Sequence, residues 1–110
     1  MTLYERYLLE REGVRIYENE KGFCMYMLED IDTLYITDIY VLPEYRSKHI
    51  ATNLANELTE VIKKDYRISK VKGSICLDDP NWERSHVVLT QYGMKPYDEI
   101  YNMIYYIKEV

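Results

Sequence analysis

The segment Tyr40-Val41-Leu42-Pro43-Glu44-Tyr45-Arg46-Ser47-Lys48-His49-Ile50-Ala51 sets an apolar run, a proline stop, a basic turn and the start of an amphipathic stretch in direct succession. Read as strand, turn and helix, that order aims a row of unpaired backbone N–H groups and the positive end of a helix dipole at one spot. Such a spot binds phosphate. Arg46 and Lys48 would add charge-assisted contacts to it. The plainer alternative is an ordinary strand-to-helix loop with solvated basic side chains. Asp38 lies on the strand leading into the turn, near Tyr35 and Tyr40. A carboxylate partly desolvated by such neighbours is pushed toward its neutral form, which suits a general base. The competing reading is a sheet-surface aspartate in a hydrogen bond or ion pair.

These residues need a scaffold, and the rest of the chain reads as one. Residues 2–11 predict a short helix with Thr2 as N-cap, Gly13 past its end, and Leu3, Tyr7 and Leu8 as its inner stripe. Residues 14–17 and 22–28 predict two strands around a polar turn, and 34–42 a long third strand. Its alternation sets Asp38 and Tyr40 on one face and Ile39 and Val41 on the other. After Pro43, a helix starting at Ser47 or Lys48 carries Ile50, Leu54, Leu58, Val61 and Ile62 at helical spacing. Residues 71–77 predict a strand, Asp79-Pro80 a cap and first-turn proline, and 81–92 a helix closed by Gly93. Residues 99–107 predict a final strand. The order α-β-β-β-α-β-α-β is an α/β (α+β) mixed sheet with helices on its faces, and its 34–77 βαβ unit should be parallel.

At 110 residues, the chain is expected to form a single domain, 1–110. The net charge of −5 is uneven: residues 44–72 hold seven Lys/Arg against four Asp/Glu, so that segment is +3 and the remainder −8. A basic segment on an acidic protein suits a small polyanion better than a nucleic-acid duplex, and no nucleic-acid partner is expected. Thirteen tyrosines against one phenylalanine read as half-buried sheet residues with wet hydroxyls. No apolar run approaches a membrane span and the N-terminus lacks a signal-peptide layout, so neither a membrane nor export is expected. Cys24 and Cys76 then read as reduced thiols of a cytoplasmic protein. No metal is expected, because neither His49 nor His86 has a second ligand at metal-site spacing.

From Arg46 to Ala51 the turn resembles the cofactor motif of the GCN5-related N-acetyltransferases (GNAT), Arg/Gln-x-x-Gly-x-Gly/Ala, and the element order resembles that fold over residues 14–107. Arg46, Ile50 and Ala51 fit the pattern; His49 stands at the first glycine position. The resemblance implies acetyl-CoA as co-substrate, with Arg46, Ser47, Lys48, His49, Ile50 and Ala51 around its pyrophosphate. It places Tyr40, Val41 and Leu42 along the pantetheine and Asn81 and Ser85 near the same arm. It implies Asp38 as the base that deprotonates an amine acceptor. Leu89 falls where many members carry an acidic tyrosine; Tyr92, three residues on, is the substitute candidate, with core packing as its alternative role. A single short helix stands where members have a longer acceptor-side segment, an N-terminally trimmed arrangement. The expected activity is N-acetylation of a primary amine, on a protein or a small molecule. The alternative is a catalytically inactive GNAT-like module that binds or inhibits a protein partner. An uncovered sheet edge would favour a homodimer.

Overall fold

Alternating apolar residues at Cys24, Tyr26 and Leu28, and a three-and-four spacing through residues 50–62, give a sheet face and a helix face that must be buried together. A computed structural model describes residues 1–110. The chain runs α1 (Leu3–Glu12), β1 (Arg15–Asn19), β2 (Gly22–Glu29), β3 (Thr33–Val41), a 3-10 turn (Pro43–Tyr45), α2 (Ile50–Asp65), β4 (Lys70–Cys76), α3 (Trp82–Tyr92), β5 (Lys95–Ile100) and β6 (Met103–Glu109). The six strands lie in the order β1-β2-β3-β4-β6-β5. Only β3 and β4 are parallel, as expected for the βαβ unit; every other pair is antiparallel.

Leu54, Leu58 and Ile62 of α2 and Leu89 and Tyr92 of α3 join Cys24, Tyr26, Leu34, Ile36, Val71, Ile75 and Tyr106 of the sheet in one core. Each fully buried leucine there contributes about 1.5–3 kcal/mol by leaving water. Two polar groups inside are satisfied: the Thr59 hydroxyl donates to the Ala55 carbonyl at 2.8 Å and also meets the Tyr92 hydroxyl.

Helix α1 has the expected cap, with Thr2 accepting from the Glu5 N–H and the Glu5 carboxylate accepting from the Thr2 N–H. Gly13 ends it in the left-handed region. The expected inner stripe does not form: α1 rests on the edge strand β1, where only Leu8 is buried, and Leu3 stays 85% exposed. Three further expectations change. Helix α2 begins at Ile50, because Ser47 and His49 take positive φ and keep the turn non-helical. Pro80 lies in the turn before α3 rather than in its first helical turn. The final strand is a hairpin, β5–β6, turning at Tyr101-Asn102 with Tyr101 at φ 55°. The apolar and aromatic residues around Asn102, from Ile100 to Ile107, masked that turn.

The feature that shapes the site is one extra residue. Tyr26 pairs with Ile36 and Met25 with Asp38, leaving Thr37 unmatched as a β-bulge. The core-facing phase of β3 therefore switches from Leu34 and Ile36 to Ile39 and Val41. The parallel β3–β4 ladder stops at Ile36↔Gly73, and beyond it the two strands run on to Val41 and Cys76 unpaired. A bulge bends and twists its strand, so β3 swings away from β4 just past the last pair.

Candidate functional site

A cleft of about 870 Å³ opens where β3 and β4 part, bounded by the start of α2 and one face of α3. Its inner wall is backbone. Leu42 N–H donates to the Lys21 carbonyl at 2.9 Å. Antiparallel alternation then turns the amides and carbonyls of Ile39 and Val41 away from β2 and toward the gap.

The turn after β3 is built to leave donors free. Arg46 N–H is used, on the Pro43 carbonyl at 3.3 Å. Asn53 N–H is the first of α2 to find an acceptor, the His49 carbonyl at 3.0 Å; the N–H groups of residues 47–52 before it have none. Ser47 (φ 64°) and His49 (φ 61°) both sit in the left-handed region, which costs a non-glycine residue about 1–2 kcal/mol. Strain of this kind persists where surrounding structure fixes it, and it gathers at functional sites. Loop closure forces the conformation that glycine favours, and the ring is held by a 3.3 Å hydrogen bond between His49 Nδ1 and Gln91 Oε1 of α3. Arg46 Nε donates to the Val41 carbonyl at 2.9 Å, with its guanidinium 5.5 Å from the Tyr40 ring.

Of the sequence-predicted residues, Asp38, Tyr40, Val41, Arg46, Ser47, His49, Ile50, Ala51, Asn81 and Ser85 all line the cleft. Leu42 and Lys48 do not. Asp38 is exposed rather than desolvated by tyrosines, on the face of β3 away from the helices. Tyr92 is elsewhere: its ring is buried in the core, its hydroxyl meets Thr59, and burial raises its pKa. It therefore packs the core and does not face the cleft.

Sequence reasoning missed Thr52, Ser74, Arg84 and Gln91 as lining residues. Thr52 Oγ1 is buried with no hydrogen-bond partner, at the open end of α2. The available signal was that unpaired donors extend through a helix's whole first turn. Ser74 stands just past the last β3–β4 pair, and the Tyr35 hydroxyl donates to its Oγ at 2.7 Å.

Two thiols flank the sheet differently. Burial, with the Glu57 and Asp38 carboxylates adding to it, pushes the Cys24 thiol up to about 12. Cys76 is half-buried and lines the cleft. No group of three or more His, Cys, Asp or Glu side chains is placed to hold a metal ion. No helix is long and apolar enough to cross a membrane.

Six free N–H groups and an unpartnered buried hydroxyl form a donor set without an acceptor, with the Arg46 guanidinium next to them in the chain, which fits a polyanion. Solved structures share this architecture. The chain superposes on a PaiA N-acetyltransferase from Thermoplasma acidophilum in complex with coenzyme A, with TM-score 0.70 and 19% identity over 82% of this chain. It spans 54% of that protein's length. It superposes likewise on a GNAT family acetyltransferase from Elizabethkingia anophelis with acetyl-CoA bound, with TM-score 0.73, 17% identity, and coverage of 98% of this chain and 82% of the other. The N-acetyltransferase PseH of Campylobacter jejuni, in complex with acetyl coenzyme A, gives TM-score 0.72 at 13% identity, covering 94% and 73% of the two chains. No curated protein matches the sequence. The Acetyltransferase (GNAT) family model matches residues 4–93, and with the β3–β4 cleft and its phosphate-ready turn in place, the chain belongs to the GNAT acetyltransferase family.

Proposed function

We propose that this chain transfers the acetyl group of acetyl-CoA to a primary amine by direct attack. The carrying observation is the splayed β3–β4 cleft that ends on the unpaired N–H groups of residues 47–52. Those N–H groups, with Arg46, would hold the pyrophosphate. Backbone groups of Ile39 and Val41 would pair with the pantetheine, and Asn81 and Ser85 would border it from α3. Bound acetyl-CoA supplies an activated thioester carbonyl.

Asp38 faces the side of the sheet opposite α2 and α3, where an acceptor would approach. Its carboxylate takes the proton that the amine loses as the new C–N bond forms and the C–S bond breaks. Leu89 offers no proton to the departing sulfur. A thiol has an ordinary pKa of about 8.5, so a thiolate leaves with little help and is protonated by water. Holding the reactants in line contributes most of the rate. The negative charge outside the turn favours a cationic acceptor. Two free thiols accord with a cytoplasmic setting.

The test is acetylation of a panel of primary amines and lysine peptides, followed by thiol release, for the wild type and Asp38→Asn. The expected result is turnover by the wild type and a loss of rate of about 10²–10⁴-fold in the variant, with acetyl-CoA binding kept. An unchanged rate and pH profile in Asp38→Asn would remove the base role. Acetyl-CoA binding without turnover on any amine, together with a stable protein complex, would favour the interaction module instead.

A further inference from the structure

His49 does something at its position that glycine cannot. The loop demands a left-handed residue there, and glycine would adopt it without strain. What histidine adds is a ring, and that ring lines the cleft beside the free N–H groups of residues 47–52. Gln91 Oε1 lies 3.3 Å from Nδ1, so the ring is partnered at one nitrogen and Nε2 is left without a protein partner. The imidazolium carries a positive charge and an N–H at Nε2.

Resting on the acetyl-CoA reading above, we infer that His49 makes binding of the cofactor's pyrophosphate proton-linked. The imidazolium brings a charge-assisted Nε2–H to a phosphate oxygen, and the neutral ring brings no charge. The charged groups around the ring are of both signs, and Asp38 and Asp79 line the cleft with it. Arg46 and Lys48 share its loop, Arg84 lines the cleft from α3, and the first turn of α2 holds no acid. Glu44, on the 3-10 turn before the loop, is exposed and does not line the cleft. Histidine ordinarily changes charge between about pH 5 and 8. Phosphate stabilises the charged form, so affinity is highest below that range and declines as pH rises through it.

The experiment is calorimetric titration of dephospho-CoA at constant ionic strength from pH 5.5 to 8.5, with the wild type, His49→Gln and His49→Gly. Dephospho-CoA retains the pyrophosphate and lacks the 3′-phosphomonoester, whose own second ionisation near pH 6 would obscure the result. The wild type should bind roughly tenfold more tightly at pH 5.5 than at 8.5, the scale of one charged hydrogen bond. Both variants should bind with a flat profile, and His49→Gly should fold at least as stably, since it relieves the left-handed strain. A flat wild-type profile, or a slope retained in both variants, overturns the inference while leaving the cofactor site standing. No binding at any pH overturns the cofactor reading and this inference with it.

Discussion

Arg46 Nε reaches back five residues to the Val41 carbonyl, at 2.9 Å, and so ties the turn before α2 to the end of β3. Its guanidinium also lies 5.5 Å from the Tyr40 ring, which itself stacks on Phe23. One side chain therefore fixes the turn's position and supplies its charge. Arg46→Ala should raise the acetyl-CoA dissociation constant roughly ten- to hundredfold, the scale of a charged hydrogen bond lost. Arg46→Lys should recover only part of this, because lysine keeps the charge but not the planar fork or the stacking. Calorimetry on the two variants checks both, and equal affinity in Ala and wild type would show that the backbone alone holds the ligand.

Gly22 protects the same strand end from the other side. A Cβ at this position would lie 2.1 Å from the Tyr40 carbonyl oxygen and 3.0 Å from Val41 Cα, both backbone atoms that cannot rotate away. Gly22→Ala should force β2 and β3 apart where Tyr40 and Val41 enter the cleft. We expect a loss of about 1–3 kcal/mol in urea unfolding, the range for overpacking, with weaker acetyl-CoA binding at temperatures where the variant is still folded.

The two cysteines should separate cleanly in reactivity. Cys24 is fully buried with its thiol pushed up to about 12, so it lacks the thiolate that alkylation requires. Cys76 borders the cleft. Iodoacetamide at pH 8 should modify Cys76 alone in the native protein and both residues in denaturant, as read by peptide mass. Acetyl-CoA should slow the Cys76 reaction. Rapid native labelling of Cys24 would contradict the core described for β2 and α2.

Acid stability should depend on Asp32. Its carboxyl is held below the usual range by the Thr33 hydroxyl first, with Lys70 and Ser69 assisting. A lowered native pKa stabilises the fold above the unfolded value and loses that contribution as pH falls through the native one. Asp32→Asn should therefore be less stable than wild type at pH 7, with the gap closing as pH drops below about 4. Unfolding midpoints measured across that range test it. The pairing matters structurally, since the Asp32 carbonyl also accepts from Ser69 and Lys70 N–H and so seats β4 beside β3.

The sequence made the strand–turn–helix legible because every signal in it was local: Pro43 as a stop, basic residues in the turn, and helical spacing from Ile50 onward. Asn81 and Ser85 entered only through the family resemblance, whereas eight predicted lining residues between Asp38 and Ala51 were within reach for that reason. The geometry of the turn was not, because the left-handed dihedral of His49 is imposed by closing a loop between two packed elements rather than by histidine's own preference. Of the two roles open to Tyr92, core packing is the one the structure bears out. Three residues beyond Leu89 is about 60° around a helix, enough to turn its hydroxyl from the cleft to Thr59 on α2. The bulge did leave a trace: core residues Leu34, Ile36, Ile39 and Val41 break a period of two with a single step of three. The β5–β6 turn left only Asn102 as a signal, because Tyr101, its left-handed residue, lacks glycine's freedom.

Thr37 makes the cleft a matter of chain length rather than of chemistry. Remove that one residue and β3 becomes a regular ladder strand, free to continue pairing with β4 beyond Ile36 and Gly73. Every side chain assigned here to binding or catalysis would still be present, yet the space between the strands would close like a fastened seam. A point substitution at Thr37 alters a hydroxyl, whereas a deletion there would abolish the site.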